Sequence, residues 1–101
     1  MVVLTGKQKN YLRGLGQKLR PVCIIGKSGL TDSLGRNIST LLEQHELIKV
    51  RLPAGPGDER QAMSEELAAA SGAACVGVVG RTALLYRANE TLRPEARLVL
   101  P

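Results

Sequence analysis

Apolar positions recur at distinct spacings along the chain, and each spacing marks an element. Tyr11, Leu12, Leu15 and Leu19 share one helical stripe, which predicts a first helix from about Gly6 to Leu19. Thr5 and Gln8 fit the N-cap and third positions of a capping box, and Pro21 ends the segment. Val22-Cys23-Ile24-Ile25 is an unbroken apolar run between proline and glycine, the pattern of a strand buried on both faces. Leu34, Ile38, Leu41 and Leu42 form a second helical stripe, with Thr31 as cap, Leu30 packing at the entry and the end near His45. From Leu47 to Leu52 the pattern changes to alternation. Ile48, Val50 and Leu52 face one way and Lys49 and Arg51 the other, as in a half-covered strand with two cations on its open face.

Pro53-Ala54-Gly55-Pro56-Gly57 interrupts the pattern but is too short to link domains. A third helix is expected to open at Asp58, with Gln61 at the capping-box position and Met63, Leu67 and Ala70 as its core stripe. Alanines 68–70 suit close packing on a sheet, and Gly72 suits a left-handed helix end. Cys75–Val79 and Ala83–Arg87 read as strands joined through Gly80-Arg81-Thr82 in a hairpin. Leu98-Val99-Leu100 is read as a short edge strand in an otherwise polar tail. Gly14 and Gly16 each weaken the first helix by about 1 kcal/mol relative to alanine, which suggests close approach of a neighbouring backbone. The order α-β-α-β-α-β-β predicts an α/β fold: one domain over residues 1–101, its core about 3–87 and its tail 88–101, with helices packed on a four-stranded mixed sheet.

Composition narrows the function. With 44% hydrophobic and 23% charged residues, a chain of 101 residues is expected to fold around one core. No segment approaches the roughly 20 apolar residues of a membrane span, and the N-terminus lacks the apolar stretch of a signal peptide. A soluble cytoplasmic protein, with no membrane partner, is the expectation. Phe and Trp are absent and Tyr11 and Tyr86 are the only tyrosines, which argues against a sheet that stacks bases on aromatic rings. One histidine and two cysteines are too few for a four-ligand zinc site, and no metal or cofactor is expected. Cys23 and Cys75 read as reduced core thiols, a disulfide being conceivable only if their strands are neighbours.

Charge is distributed unevenly. Nine of the fourteen basic residues lie in 1–51 against three acids, giving +6; residues 52–101 hold five against six, giving −1. Such polarity attracts polyanions to one side of a molecule. On the first helix Lys9, Arg13 and Arg20 are expected to point away from the apolar stripe, with Lys7 and Lys18 flanking it.

Gly26-Lys27-Ser28-Gly29 joins a strand to a helix N-terminus. Its glycines allow positive φ and close approach, and the N–H groups of the loop and first helical turn suit a phosphate, with Lys27 adding a cation. A GxxG loop that clamps a nucleic-acid backbone is the logic of the KH module, although many tight turns contain the same spacing. Asp32 would repel a phosphate on the helix axis, so contact through the loop and Lys27 is expected, with the axial position left empty. A Walker A loop is excluded because Pro21 stands where its first glycine belongs, and G-x-S-x-G fails at Gly29. His45, placed on the second helix's apolar stripe, reads as a helix-end or packing residue, and Asp58-Glu59 and Glu65-Glu66 as solvated carboxylates. No catalytic set emerges.

Four segments together resemble the CRM domain, and more narrowly its stand-alone bacterial, YhbY-like form. They are Leu4-Thr5-Gly6-Lys7-Gln8-Lys9, Ile25-Gly26-Lys27-Ser28-Gly29-Leu30-Thr31, His45-Glu46-Leu47-Ile48-Lys49-Val50 and Val79-Gly80-Arg81-Thr82-Ala83-Leu84-Leu85-Tyr86-Arg87, in the same order over about residues 3–87. The Gly/Pro-rich 53–57 segment departs from the usual pattern without touching the RNA motif. The resemblance implies a fold similar to the C-terminal domain of translation initiation factor three. It also implies RNA binding through the GxxG loop and association with precursors of the large ribosomal subunit. The expected RNA-binding residues are Gly26, Lys27, Ser28, Gly29, Lys7, Lys9, Arg13, Lys18 and Arg20, extended by Arg36, Lys49, Arg51 and Arg81. A monomeric, non-enzymatic RNA-binding protein is the expectation, and a basic module that docks an acidic protein partner is the alternative.

Overall fold

The computed structural model describes residues 4–26 and 28–101. Helices α1 (Gly6–Gly16), α2 (Asp32–His45) and α3 (Gly57–Ser71) pack on strands β1 (Cys23–Ile24), β2 (Leu47–Arg51), β3 (Ala74–Val79) and β4 (Thr82–Tyr86). A 3₁₀ turn at Pro94–Ala96 follows in the tail. The sheet order is β1-β2-β4-β3, with β1 parallel to β2 and the other pairs antiparallel. This is the mixed four-stranded sheet that the alternating pattern predicts.

Each face of the sheet carries its own core. On one side Ile38 and Leu42 of α2 and Leu67 and Ala68 of α3 meet Ile48, Val50, Ala83 and Leu85. On the other, Leu12 of α1 meets Leu47, Val76, Leu84 and Tyr86, with Leu15, Leu98 and Leu100 packed at the margin. Full burial of a leucine contributes about 1.5–3 kcal/mol, so α1 and the tail are held on by a small cluster and the α2/α3 layer by a larger one. The Cα radius of gyration, 12.7 Å, is that of a closely packed chain of this length.

Local chemistry explains where elements begin and end. Thr5 Oγ1 accepts the Gln8 N–H at 3.1 Å and Gln8 Oε1 accepts the Thr5 N–H at 3.0 Å, completing the expected capping box. Thr31 Oγ1 accepts the Leu34 N–H at 3.1 Å and caps α2. Gly72 ends α3 at φ +69, and Gly80 turns the hairpin at φ +58.

Several expectations are corrected. Helix α1 stops at Gly16, not Leu19: the N–H groups of Lys18 and Leu19 bond to Leu15 O and Gly16 O, three residues back, so the chain tightens into turns before Pro21. The close neighbour of Gly16 is the Leu84 side chain, whose Cδ atoms lie 2.6 Å from where a β-carbon would stand, whereas Gly14 faces open space. Strand β1 is a two-residue edge strand with Ile24 74% exposed, not one buried on both faces. Helix α3 is capped at Pro56 with no side-chain cap; Asp58 lies inside the first turn, and Gln61 Nε2 donates to Glu65. Ala70 is exposed, and Ser64 and Ser71 take inward positions beside Leu67 and Ala68. Residues 98–100 form no strand. Cys23 and Cys75 are free and half-buried on the two edge strands, with β2 and β4 between them, so a disulfide is geometrically excluded.

Candidate functional site

Strand β2 is the spine of the site. Its alternation sends Leu47, Lys49 and Arg51 to the α1 side of the sheet, over a span of about 13 Å at strand rise. That face is covered at Leu47 by α1 and the tail, and opens progressively through half-buried Lys49 to exposed Arg51. The alternation of the sequence alone predicts a face open along its length.

At the Arg51 end, the sheet register sets four residues in one row, Ile24–Arg51–Thr82–Val79. The Gly26–Gly29 loop leaves the sheet here, because the Ile25 N–H bonds to Arg51 O at 2.8 Å. Arg81 is brought to the same end: its carbonyl accepts the Leu52 N–H at 2.6 Å and its Nε donates to Leu52 O at 3.4 Å. Among the described residues of the loop only Gly29 has positive φ, at +71; Gly26 has open space where a β-carbon would sit, which leaves its backbone approachable. The Gly29 N–H bonds to Gly26 O at 3.0 Å and the Leu34 N–H is taken by Thr31, so neither is available to a phosphate. Ser28 is exposed, and Lys27 lies outside the described residues.

In the middle of the face a groove of about 220 Å³ is lined by Arg13, Gln17, Lys49, Gly77 and Thr82. Arg13 does not point away from the sheet as its helical position suggests. Its Nη2 donates to Val76 O at 3.2 Å and its Nη1 to Asn10 Oδ1 at 3.3 Å, which lays the guanidinium over the β3 bulge. At the other end Lys18, Arg20, His45 and Lys49 surround a second groove. Lys18 and Arg20 belong to the connector after α1 and not to a basic helix. His45 is the exposed last residue of α2, not part of its buried stripe. Lys49 is the wall shared by both grooves.

The remaining expected residues lie apart from this line. Lys7 and half-buried Lys9 stand on the first turns of α1, where Gln8 Nε2 donates to Pro101 O at 3.3 Å. Arg36 lines a cleft with Thr31, Asp32, Ser39 and Ala70 in the α2/α3 layer, on the opposite side of the sheet.

Two charged residues carry structure that the sequence did not disclose. Glu46, fully buried at φ +59, accepts the Asn89 N–H at 2.7 Å and the Leu98 N–H at 2.6 Å, with Arg97 Nε 3.7 Å away. Arg87 donates to Ser39 O at 2.9 Å and to Ser71 O, tying α2 and α3 to the end of β4. Both look like ordinary surface charges in the sequence, since their partners lie 16 to 52 residues away. Burial raises the Cys23 thiol above its usual pKa, partly opposed by the Asn37 side chain. Burial, helped by the Glu46 carboxylate and opposed by Arg97, likewise raises Tyr86. Neither group lines the two grooves on the α1 face.

Comparison with known proteins gives a consistent picture. Residues 4–87 match the CRS1/YhbY (CRM) domain. A Haemophilus influenzae protein named as an RNA-binding protein is 36% identical over 101 residues, covering 100% of this chain and 98% of its own. A Pseudomonas aeruginosa protein named as a probable RNA-binding protein is 39% identical over 88 residues, covering 87% of this chain and 85% of its own. The solution structure of a Staphylococcus aureus protein described as a candidate RNA-binding protein superposes with a TM-score of 0.82 at 34% identity, covering 98% of this chain and 100% of that one.

Proposed function

The chain belongs to the CRS1/YhbY (CRM) domain family, and on that premise we propose that it binds RNA through the α1 face of its sheet and the adjoining GxxG loop. The observation that carries the reading is the alignment of cations along β2. Lys18 and Arg20 stand at one end, Arg13 and Lys49 in the middle, and Arg51 and Arg81 beside Gly26–Gly29 at the other. Lys27 adds its charge to the loop by sequence. Lys7 and Lys9 extend the surface along α1, and Arg36 is a peripheral contact reached around the first turn of α2. The relatives named as RNA-binding proteins support the same reading.

A row of cations beside exposed glycine backbone recognises phosphates and not base edges. Affinity therefore falls steeply with salt and varies modestly with sequence. The protein is a binder and not a catalyst, acting as a cytoplasmic monomer on precursors of the large ribosomal subunit. Crosslinking in cells followed by sequencing of the bound RNA tests this role. Enrichment of large-subunit precursor RNA is expected. Complexes that contain only protein and survive RNase would contradict it and favour an acidic protein partner.

A further inference from the structure

The groove at the Lys18 end has features that phosphate binding alone does not need. It measures about 560 Å³, within the range of about 300–1,000 Å³ typical of small-molecule sites. Its floor is apolar, made by Leu15, Leu19, Val22, Leu47 and Leu98. Leu19 and Val22 are among the few large apolar side chains left exposed, at 36% and 47%, and both lie here. The rim is cationic: Lys18, Arg20, His45 and Lys49, with no carboxylate among the described lining residues. The neighbouring acid Glu46 turns inward to Asn89 and Leu98, and Glu43 lies 3.9 Å from Arg87. Lys49 Nζ is steadied at the rim by Leu19 O at 3.4 Å.

An apolar floor inside a cationic rim fits a ligand that is flat and apolar on its faces and anionic at its edge. An unpaired nucleotide is such a ligand. No tyrosine is among the described residues that line this groove, but arginine guanidinium and histidine imidazole planes also stack a splayed base, and Arg20 and His45 supply one of each. We propose that this groove is a base-binding pocket that takes one unpaired nucleotide, its base over Leu19 and Val22 and its flanking phosphates on Lys18 and Lys49. The inference rests on the RNA reading above and deepens it. The protein would prefer RNA with a bulged or looped-out nucleotide over continuous duplex.

The test compares two hairpin RNAs that differ only in whether a single 2-aminopurine is bulged or paired. The parent protein is expected to bind the bulged RNA at least about fivefold more tightly and to change its fluorescence, in line with the usual contribution of one stacked base. Leu19→Ser with Val22→Ser, which makes the two exposed floor residues polar and keeps every cation, is expected to bring that ratio towards one. In the parent, Val22 and Leu98 methyl resonances are expected to shift with the bulged hairpin and not with the paired one, a readout independent of how the double variant folds. Equal affinity for the two RNAs, no shift at those methyls, or a preference retained by the folded variant would overturn the pocket and leave backbone binding intact. Failure to bind either RNA would overturn the RNA reading and the pocket with it.

Discussion

Arg13 crosses from α1 to β3 through the space that a side chain on Gly77 would fill: its Nε lies 3.1 Å from the point where that β-carbon would stand. The bulge at Cys75/Gly77 bends the strand there, and the missing side chain lets the guanidinium lie flat and reach Val76 O. Gly77→Ala is therefore expected to lift Arg13 off the sheet. The lost hydrogen bond costs about 1 kcal/mol, and the loss of unfolded-chain entropy on going from glycine to alanine offsets about 0.4–1 kcal/mol of it. Urea denaturation should show stability within about 1 kcal/mol of the parent, while RNA affinity falls several-fold as the groove loses its positioned cation. Unchanged affinity would remove Arg13 from the binding surface.

The tail depends on one carboxylate. Glu46 holds a positive-φ backbone and accepts two N–H groups of residues 89 and 98 with both its oxygens buried. Glu46→Ala leaves those donors unpaired and Arg97 without its partner, and is expected to cost about 3 kcal/mol. Denaturation measures the loss. Limited trypsin digestion should cleave after Arg97 sooner than in the parent, because Leu98 and Leu100 no longer seal the α1 cluster.

Alkaline pH is expected to weaken the fold. Cys23 and Tyr86 both have pKa values raised by burial, so in the folded state they keep protons that the unfolded chain releases. Their contribution is complete below the unfolded values, about 8.5 for cysteine and 10 for tyrosine, and is lost as pH rises through the higher folded ones. The thermal midpoint should therefore fall from about pH 9 upwards. Cys23→Ser and Tyr86→Phe, taken together, should flatten that fall, and an equally steep fall in the double variant would contradict the assignment.

The periodicity of the sequence discloses the element order because Leu12, Ile38, Leu42 and Leu67 mark the inward faces of the three helices and burial alternates from Ile48 to Leu52, although Tyr11, Leu19 and Ala70 of the expected stripes are exposed. It misleads where a tertiary neighbour decides. The apolar spacing of α1 runs on to Leu19, yet Gly16 is in place to admit Leu84 and the helix ends there. That early end swings Lys18 and Arg20 off the helix and onto the sheet face, an arrangement that the spacing of the sequence does not show. Glu46 and Arg87 are illegible for the same reason, since nothing local distinguishes a buried, bonded charge from a solvated one. The GxxG loop is legible as a motif, but only the register of Ile24 with Arg51 shows that it adjoins the β2 cations.

The central claim is that the α1 face of β2 holds RNA phosphates, and the salt dependence of binding tests it most directly. Affinity for a structured RNA would be measured from low to physiological salt for the parent and for Lys49→Ala with Arg51→Ala. Each phosphate contact removed should reduce the slope of log affinity against log salt by about 0.7–0.9, so the double variant should lose about 1.5 in slope and bind more weakly throughout. A parent-like slope and affinity in the folded double variant would contradict the account.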